Sequence, residues 1–560
     1  MPLRVTKKLG GPSSTRHMAT GVVVFGVLLS AWCYGEEVHQ QREGKSMVDM
    51  PLGVDDAGSR TPIWTDKAAQ DAYRAMGFDF LSFHLYPQTS QENLRALDGW
   101  ARETGTQYVL NQEGAERRAG APEIFPSAGA FYQPDRSVLA PCLDSPRWLG
   151  MVYDELDHCV TNGGWPTVMR REYAPYFYDA KGRTLDEAYD GNLRNAEMLM
   201  SRMYPGFREN GRGDGRGPVV GGENVFPILD HLFARAGIVP IPKYLKETVT
   251  PVQAAVAMGA AKQYGTQYWA CLDLWFTEYP GHPPFELTSA LHLAYWTGAD
   301  RAYVENFHYQ DSLYKETPEG IRLTQWGEAV RAFRREYLPA HRRTISMRDF
   351  APEIVIVRFP DSDWGQEPTG TWITGWLYGS PTLHRDEQTS DWIRIWNVLT
   401  HGKLVPIALN YNNTRLPRPY RFFYPANNVA VYDHLAADPK LFSRARLVLL
   451  SGKRISLECM GTLRRLVAEK GLTVVTPSHL APGGLGRTGG IYAVHAEGSG
   501  RWIVTDAVDA PEVVKQLDPY LGKADELRYV FGETQVVFRQ PAPDAPVTVE
   551  VSKLAASAVP

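Results

Sequence analysis

The chain has 560 residues, 44% of them hydrophobic, enough for two or three domains with large buried cores. Its formal net charge of −4 is near neutral for that length and it holds no long Lys/Arg run, which argues against a nucleic-acid partner. Aromatic residues make up 11%, with 15 Trp and 28 Tyr; such rings mostly fill cores and interfaces, and they also stack well on sugar faces.

At the N-terminus Arg4, Lys7, Lys8 and Arg16 precede the apolar run Gly21 to Trp32, and Cys33-Tyr34-Gly35 follows before Glu36. That is the order of a secretory signal, residues 1–35, with Met18 as an alternative start. The run is short for a stable membrane span, so the expectation is a secreted or periplasmic protein with no span left after cleavage. Trp32 directly before Cys33 speaks against a lipoprotein signal. Four cysteines then remain: Cys142, Cys159, Cys271 and Cys459. Cys142 and Cys159 bracket the strand described next, and either a disulfide, allowed outside the cytosol, or buried free thiols fits them. No CxxC or clustered Cys/His spacing calls for zinc.

The first strand candidate runs from Val48 to Val54 and ends at Asp55-Asp56. Helix Thr65 to Met76 leads through Gly77 to the strand Phe78 to Tyr86, and amphipathic helix Gln91 to Thr104 leads to Gln107 to Glu113. A long loop then enters Leu149-Gly150-Met151-Val152-Tyr153, an apolar run of the length of a buried strand, which delivers Asp154, Glu155, Asp157 and His158 at its C-terminal end. Helix Thr184 to Met203, strand Pro218 to Asn224, helix Ile228 to Ala236 and the short run Ile238 to Tyr244 come next. Helix Pro251 to Tyr264, with Pro in its first turn, precedes Gln267 to Trp275; helix Phe285 to Trp296 precedes Arg301 to Asn306; Leu323 to Tyr337 closes the unit. Eight strand candidates alternating with helices predict a (β/α)8 barrel over residues 45–345, an α/β fold. If Ile238 to Tyr244 were only loop, the later strands would each move down one place.

The strand Glu353 to Val357 opens a second unit, 350–482. Helix Thr389 to Thr400, strand Leu404 to Leu409, strand Ala445 to Leu450, helix Leu457 to Lys470 and strand Leu472 to Val475 follow. Parallel strands joined by crossover helices predict a flavodoxin-like layer, without GxGxxG and so without a dinucleotide. Cys459 falls on a helix rather than a strand-to-helix elbow and reads as structural. The Gly/Pro-rich stretch Ala481 to Gly490 marks a boundary. Beyond it, Ile491 to His495, Arg501 to Val504, a helix near Val513 to Leu521 and a hairpin Leu527 to Arg539 turning at Gly532 predict a small β-rich domain, 488–552. The Pro/Ala-rich tail from Gln540 is expected to be poorly ordered.

A barrel, a flavodoxin-like domain without its own catalytic site and a small β domain together resemble bacterial β-galactosidases of glycoside hydrolase clan A. The segment Ala294-Tyr295-Trp296-Thr297-Gly298-Ala299-Asp300 before the strand Arg301 to Asn306 also looks like the end of such barrels. In those enzymes the middle domain is similar to class I glutamine amidotransferases and mediates trimerisation, so the resemblance implies a homotrimer. It also implies a carbohydrate substrate and no cofactor. The chain departs from the clan in two places. Asp154-Glu155 stands where Asn-Glu is usual at the end of the fourth strand, and the seventh strand offers Asp273 rather than Glu.

Glycoside hydrolysis uses two carboxylates flanking the scissile bond. Strand-end acids here are Asp55 and Asp56, Glu113, Asp154 and Glu155, Glu223, Asp273 and Glu305. Buried carboxylates are rare unless paired, so acids on this many apolar strands ask for an explanation. Glu155 reads as the acid/base and Glu305 as the nucleophile, with Asp273 and Glu223 as its rivals. His84, Asp154, Glu223, Asn224, Asp273 and Trp275 read as substrate-binding, although His84 and Trp275 read equally as core residues with a satisfied polar tip. A metal-dependent hydrolase would want His-x-His on the first strand, a serine hydrolase G-x-S-x-G, and a phosphate-binding barrel a Gly-rich loop after the last strands. None is present, and no metal site is expected. The rival of another class is a barrel that binds glycan without cleaving it, or a scaffold.

Overall fold

The computed structural model describes residues 49–56, 61–85, 89–111, 136–154, 184–203, 218–225, 227, 229–245, 249–275, 279–360, 386–404, 423–486 and 489–554. The signal-like segment 1–35, Glu113, Glu155, Cys159 and most of the expected strand Leu404 to Leu409 lie outside them.

Eight parallel strands close into a barrel in chain order: β1 (Leu52–Asp55), β2 (Phe80–His84), β3 (Gln107–Asn111), β4 (Trp148–Tyr153), β5 (Val219–Asn224), β6 (Val239–Leu245), β7 (Trp269–Asp273) and β8 (Arg301–Val304). The run at 238–244 is a strand despite Pro240 and Pro242, each of which removes a ladder donor. β6 pairs with β5 over Val239 to Pro242 and with β7 only from Lys243 onward, so the missing N–H groups fall where the ladder to β7 has not begun. The alternative numbering is therefore not realised: Asp273 ends β7 and Glu305 follows β8. Capping fixes the intervening helices. Asp66 accepts from the Ala69 amide at the start of Lys67–Met76, Ser90 forms a capping box on Gln91–Thr104, and Gly77 and Gly105 end those helices in the left-handed conformation. The expected closing helix is Gln325–Ala332, continued by a π-helical turn, Phe333–Tyr337. A hairpin, β9 (Tyr314–Thr317) and β10 (Gly320–Leu323), precedes it and has no counterpart in the sequence reading.

The second layer is one six-stranded sheet: β11 (Ile354–Arg358), β12 (Val429–Asp433), β13 (Leu447–Ser451), β14 (Thr473–Thr476), β15 (Tyr492–Glu497) and β16 (Gly500–Thr505). Their spatial order is β12-β11-β13-β14-β16-β15, with only β15 antiparallel. The five parallel strands alone run 2-1-3-4-5, the flavodoxin-like order. Both faces are covered, as continuous runs such as Ile354-Val355-Ile356-Val357 require. Ile354 and Ile356 pack with Trp392, Trp396 and Leu517, whereas Val355 and Val357 face the opposite core. The expected boundary at 482–488 is corrected here. The fifth parallel strand and helix Pro511–Leu521 lie beyond the Gly/Pro-rich stretch and complete this layer, so that stretch is a loop within it.

What remains beyond residue 521 is a three-stranded antiparallel sheet, β17 (Leu527–Phe531), β18 (Thr534–Arg539) and β19 (Thr548–Lys553). β19 corrects the expectation of a poorly ordered tail: Val549 pairs with Phe538 and Val551 with Val536, an alternation past the Pro-rich turn.

Residues 47–560 form one compact unit. Helix Thr250–Tyr264 is the reason barrel and sheet join. It is buried on every side from Thr250 to Ala261, which its Ala-rich sequence TPVQAAVAMGAAKQY permits. Gly259 meets the β12 edge so closely that an added Cβ would stand 1.8 Å from the Val431 carbonyl oxygen. The same carbonyl contacts His231 Nε2 at 2.8 Å, and Gln263 donates to Asp433 at 2.5 Å. A sheet edge is thereby covered rather than left open.

Candidate active site

Strand alternation builds the site. A separate apolar cluster fills the barrel, including Phe80, Val109, Val152, Ile241, Cys271 and Tyr303. Successive same-face residues lie two apart, so the next turn of the pleat toward the C-terminal end brings in Asn111, Asp154, Lys243, Asp273 and Glu305. On β2 the same face continues through Ser82 to His84. On β1 and β5 the inner position below is glycine. A Cβ at Gly53 would strike the Phe80 ring at 2.5 Å, and one at Gly221 the Ile241 methyl at 2.4 Å. Two residues on stand Asp55 and Glu223. Each of the eight strands thus sends one polar side chain into a single ring at the end where barrel active sites form. Asp55, His84, Asn111, Asp154, Glu223, Lys243 and Asp273 are at most 2% exposed, whereas Glu305 is 9% exposed.

Lys243 organises one half of this ring. Its ammonium lies 2.7 Å from Glu223, 2.5 Å from Glu305, and 3.4 Å from both Asp154 and Asp273. His84 and Asn111 organise the other half. His84 Nδ1 lies 3.3 Å from Asp55 and 3.1 Å from Asp56, whose carboxylate also accepts the His84 amide at 2.8 Å. The Asn111 side chain donates to Asp55 at 3.3 Å and to Asp154 at 3.1 Å, bridging the two halves. Glu305 is held from several sides: Asn306 donates to its carboxylate at 3.2 Å, the Cys271 thiol lies 3.5 Å away, and Tyr279 donates to its backbone carbonyl at 2.6 Å.

The electrostatics single out Glu223. Burial pushes Glu223 well above the usual carboxyl range. The neighbouring Asp154 and Glu305 charges and a hydrogen bond with Asp154 add to this, against the pull of Lys243. Burial thus biases Glu223 toward its protonated form, and the Tyr303 hydroxyl donates to it. Burial likewise pushes up the Cys271 thiol and the Tyr303 and Tyr279 phenols, so none of them supplies an anionic nucleophile near neutrality. Two sets of three potential ligand atoms occur, the atoms of each set lying within 4.8 Å of one another. Asp55, Asp56 and His84 have the donor types a divalent ion takes, whereas Glu223, Cys271 and Glu305 already have the Lys243 ammonium against both of their carboxyl groups.

Of the residues singled out from sequence, His84, Asp154, Glu223, Asp273 and Glu305 meet in the ring. Asn224 does not. It follows Glu223 on the opposite face of β5 and donates to Asp230 at 3.2 Å, bracing the next helix. Trp275 lies beyond β7, where its backbone amide donates to Asp273 at 2.8 Å. Glu155 lies directly after Asp154 but outside the described residues. Sequence reasoning missed Asn111 and Lys243. The signal for Lys243 was a lone cation in Val239-Pro240-Ile241-Pro242-Lys243-Tyr244, a run whose prolines disguised it as loop.

Cys142 is a free, buried thiol, which decides between the two readings left open for it. Burial pushes it up to about 12, against a hydrogen bond with Tyr108, and the Asp98 charge adds to the rise. Cys459 is also free and buried, in the first turn of helix Leu457–Lys470, as a structural role predicts. Among the described residues no helix is long and apolar enough to cross a membrane.

No protein-family profile matches this chain, and no curated protein matches it by sequence. Among solved structures, the polyextremophilic β-galactosidase from the Antarctic haloarchaeon Halorubrum lacusprofundi is similar over 90% of this chain and 99% of that one, with a TM-score of 0.53 and 11% identity. That similarity shows a shared fold, barrel and following layer together. The catalytic domain of a Paenibacillus polymyxa β-amylase has a TM-score of 0.34 at 8% identity, over 51% of this chain and 98% of that one. An apo GH42 exo-carrageenase from Bacteroides ovatus has a TM-score of 0.33 at 9% identity, over 90% and 75% respectively. No argument rests on these two.

Proposed function

We propose that this chain is a glycoside hydrolase that cleaves glycosidic bonds of a poly- or oligosaccharide with two carboxyl groups at the C-terminal end of its barrel. The observation that carries the reading is the ring itself, in which Glu305, set directly after the last barrel strand and paired with Lys243, is the most exposed carboxyl group. In this reading Glu305 attacks the anomeric carbon while Glu155 gives its proton to the leaving oxygen. A glycosyl–Glu305 ester forms as the glycosidic bond breaks, and water activated by Glu155 then cleaves the ester. Glu223, Asp154 and Asp273 position Glu305 through Lys243 rather than reacting.

The similar fold of a β-galactosidase supports the substrate class at the level of a glycan. The reading extends to export under the signal-like segment 1–35, to an amidotransferase-like middle layer and to a homotrimer.

The test is hydrolysis of a panel of aryl α- and β-glycosides by the wild type, Glu155→Gln and Glu305→Gln, with folding followed by circular dichroism. Collapse of activity in both variants, on the order of a thousandfold or more, supports the pair. Loss in Glu155→Gln alone moves the nucleophile to Asp273 or Glu223. A wild type that binds glycan without cleaving any of the panel favours the non-catalytic barrel.

A further inference from the structure

The rim beside Glu305 carries an exposed aromatic ring on an unusually constrained loop. Tyr309 is 42% exposed, one of few large apolar side chains so open among the described residues. It follows Glu305 by four residues and meets Tyr279 edge-on, with ring centroids 5.4 Å apart. Tyr279 is the residue that donates to the Glu305 carbonyl at 2.6 Å, so the exposed ring and the carboxylate are tied through one side chain.

The loop that carries Tyr309 is held in a conformation that side chains rarely adopt. Asn306, Gln310 and Asp311 all have positive φ, at 63°, 51° and 56°. None is glycine, and strain of this kind clusters at binding and catalytic sites where surrounding contacts enforce it. The enforcing contacts are present. The Phe307 amide donates to the Asp55 carbonyl at 2.8 Å, the Ser312 hydroxyl to the Asn306 carbonyl at 2.6 Å, the Thr324 hydroxyl to the Ser312 carbonyl at 2.6 Å, and the Ser312 amide to the Tyr309 carbonyl at 3.1 Å. An exposed tyrosine on a mobile loop would be an ordinary surface residue. One on a loop fixed by four hydrogen bonds, with its ring against Tyr279, is pre-organised, and rigid aromatic faces bind flat apolar faces, such as those of pyranose rings, at low entropic cost.

We infer that Tyr309 is a sugar-stacking platform for an outer subsite at the barrel rim, one that selects linear oligosaccharides over single glycosides. This rests on the glycosidase reading for the identity of the ligand, while the platform itself rests on the rim geometry. Tyr309 acts as a specificity residue and takes no part in bond cleavage.

The experiment compares wild type, Tyr309→Ala and Tyr309→Phe on the aryl β-glycosides and on cellotetraose, xylotetraose, mannotetraose and β-1,4-galactotetraose. Binding of the tetrasaccharides to Glu305→Gln, with and without Tyr309→Ala, is followed in parallel by saturation-transfer NMR. The expected result is a rise of about tenfold in KM for the cleaved tetrasaccharide in Tyr309→Ala, with kcat and the aryl glycoside little changed and Tyr309→Phe near wild type. Equal effects on tetrasaccharide and aryl glycoside, or no effect on either, overturn the platform and leave the glycosidase reading standing. Cleavage of aryl glycosides with no tetrasaccharide cleaved or bound overturns it too. Tetrasaccharide binding that Tyr309→Ala abolishes, in a protein that cleaves nothing, supports the platform and removes the glycosidase reading. A protein that neither cleaves nor binds removes both.

Discussion

Without the Lys243 ammonium, Asp154, Glu223, Asp273 and Glu305 would share a buried space with one cation fewer. Removing one partner of a buried ion cluster costs about 3–5 kcal/mol, because charges remain without compensation. Lys243→Met is therefore expected to lower unfolding free energy by about that amount at pH 7, read from urea midpoints. A change under about 1 kcal/mol, the scale of an exposed ion pair, would mean that Lys243 is not the main counter-charge of the ring. Glu223 makes a second prediction with a definite sign. Its folded pKa is raised above the ordinary 4.5. Between those two values the folded state therefore holds a proton that the unfolded chain has released. Stability from this group is complete at acidic pH and declines as pH rises above about 5, by up to about 1.4 kcal/mol per pH unit, until the folded carboxyl itself ionises. Glu223→Gln, which mimics the neutral acid, should flatten that decline and retain more activity than Glu305→Gln. A parallel pH–stability curve in the variant would show that Glu223 is ionised in the native state.

Helix Thr250–Tyr264 illustrates how much one element decides. It is apolar all round because it is a wall of the barrel and a covering layer for β12 at once. Gly259→Ala would gain up to about 1 kcal/mol in helix propensity. It would also drive a methyl group to 1.8 Å from a backbone carbonyl that cannot yield as a side-chain tip would. Overpacking costs about 1–3 kcal/mol and should win, so thermal unfolding is expected about one or two degrees lower in a unit of this size. Gly461, inside helix Leu457–Lys470, is the control: an added Cβ there would meet nothing, and alanine should be neutral or stabilising. Elements whose character came from a single face were legible in advance, such as helix Gln91–Thr104 with its Ser90 cap. β12 was not, because Val429-Ala430-Val431-Tyr432-Asp433 is one short apolar run among several and its role depends on a helix far back in the chain, as the Gln263–Asp433 contact shows across 170 positions.

The whole molecule carries two further expectations. If the six-stranded layer mediates trimerisation, light scattering of the purified protein gives three times the single-chain mass; a monomer removes that proposal. If residues 1–35 are an export signal, N-terminal sequencing of the secreted or periplasmic protein begins after that segment, and a cytoplasmic protein retaining it overturns the localisation. The layer also shows why domain limits drawn from composition can mislead. Gly483, Gly484, Gly486, Gly489 and Gly490 look like a linker, yet the chain returns after them to add β15 and β16 to the same sheet.

Periodicity and strand-end acids were enough to establish the barrel, the number and order of its strands, and five of the eight residues of the ring as site candidates, because side-chain direction in a strand follows from backbone geometry alone. Which acids face one another, and that Glu223 is pushed toward its neutral form, depended on register between strands far apart in the chain. That register put Lys243 against four carboxyl groups and turned Asn224 away from them. Burial, not spacing, then pushed the Glu223 carboxyl up toward its protonated form while leaving Glu305 at the rim. Charge and desolvation act through space, and only closure of the barrel brought these residues within their reach.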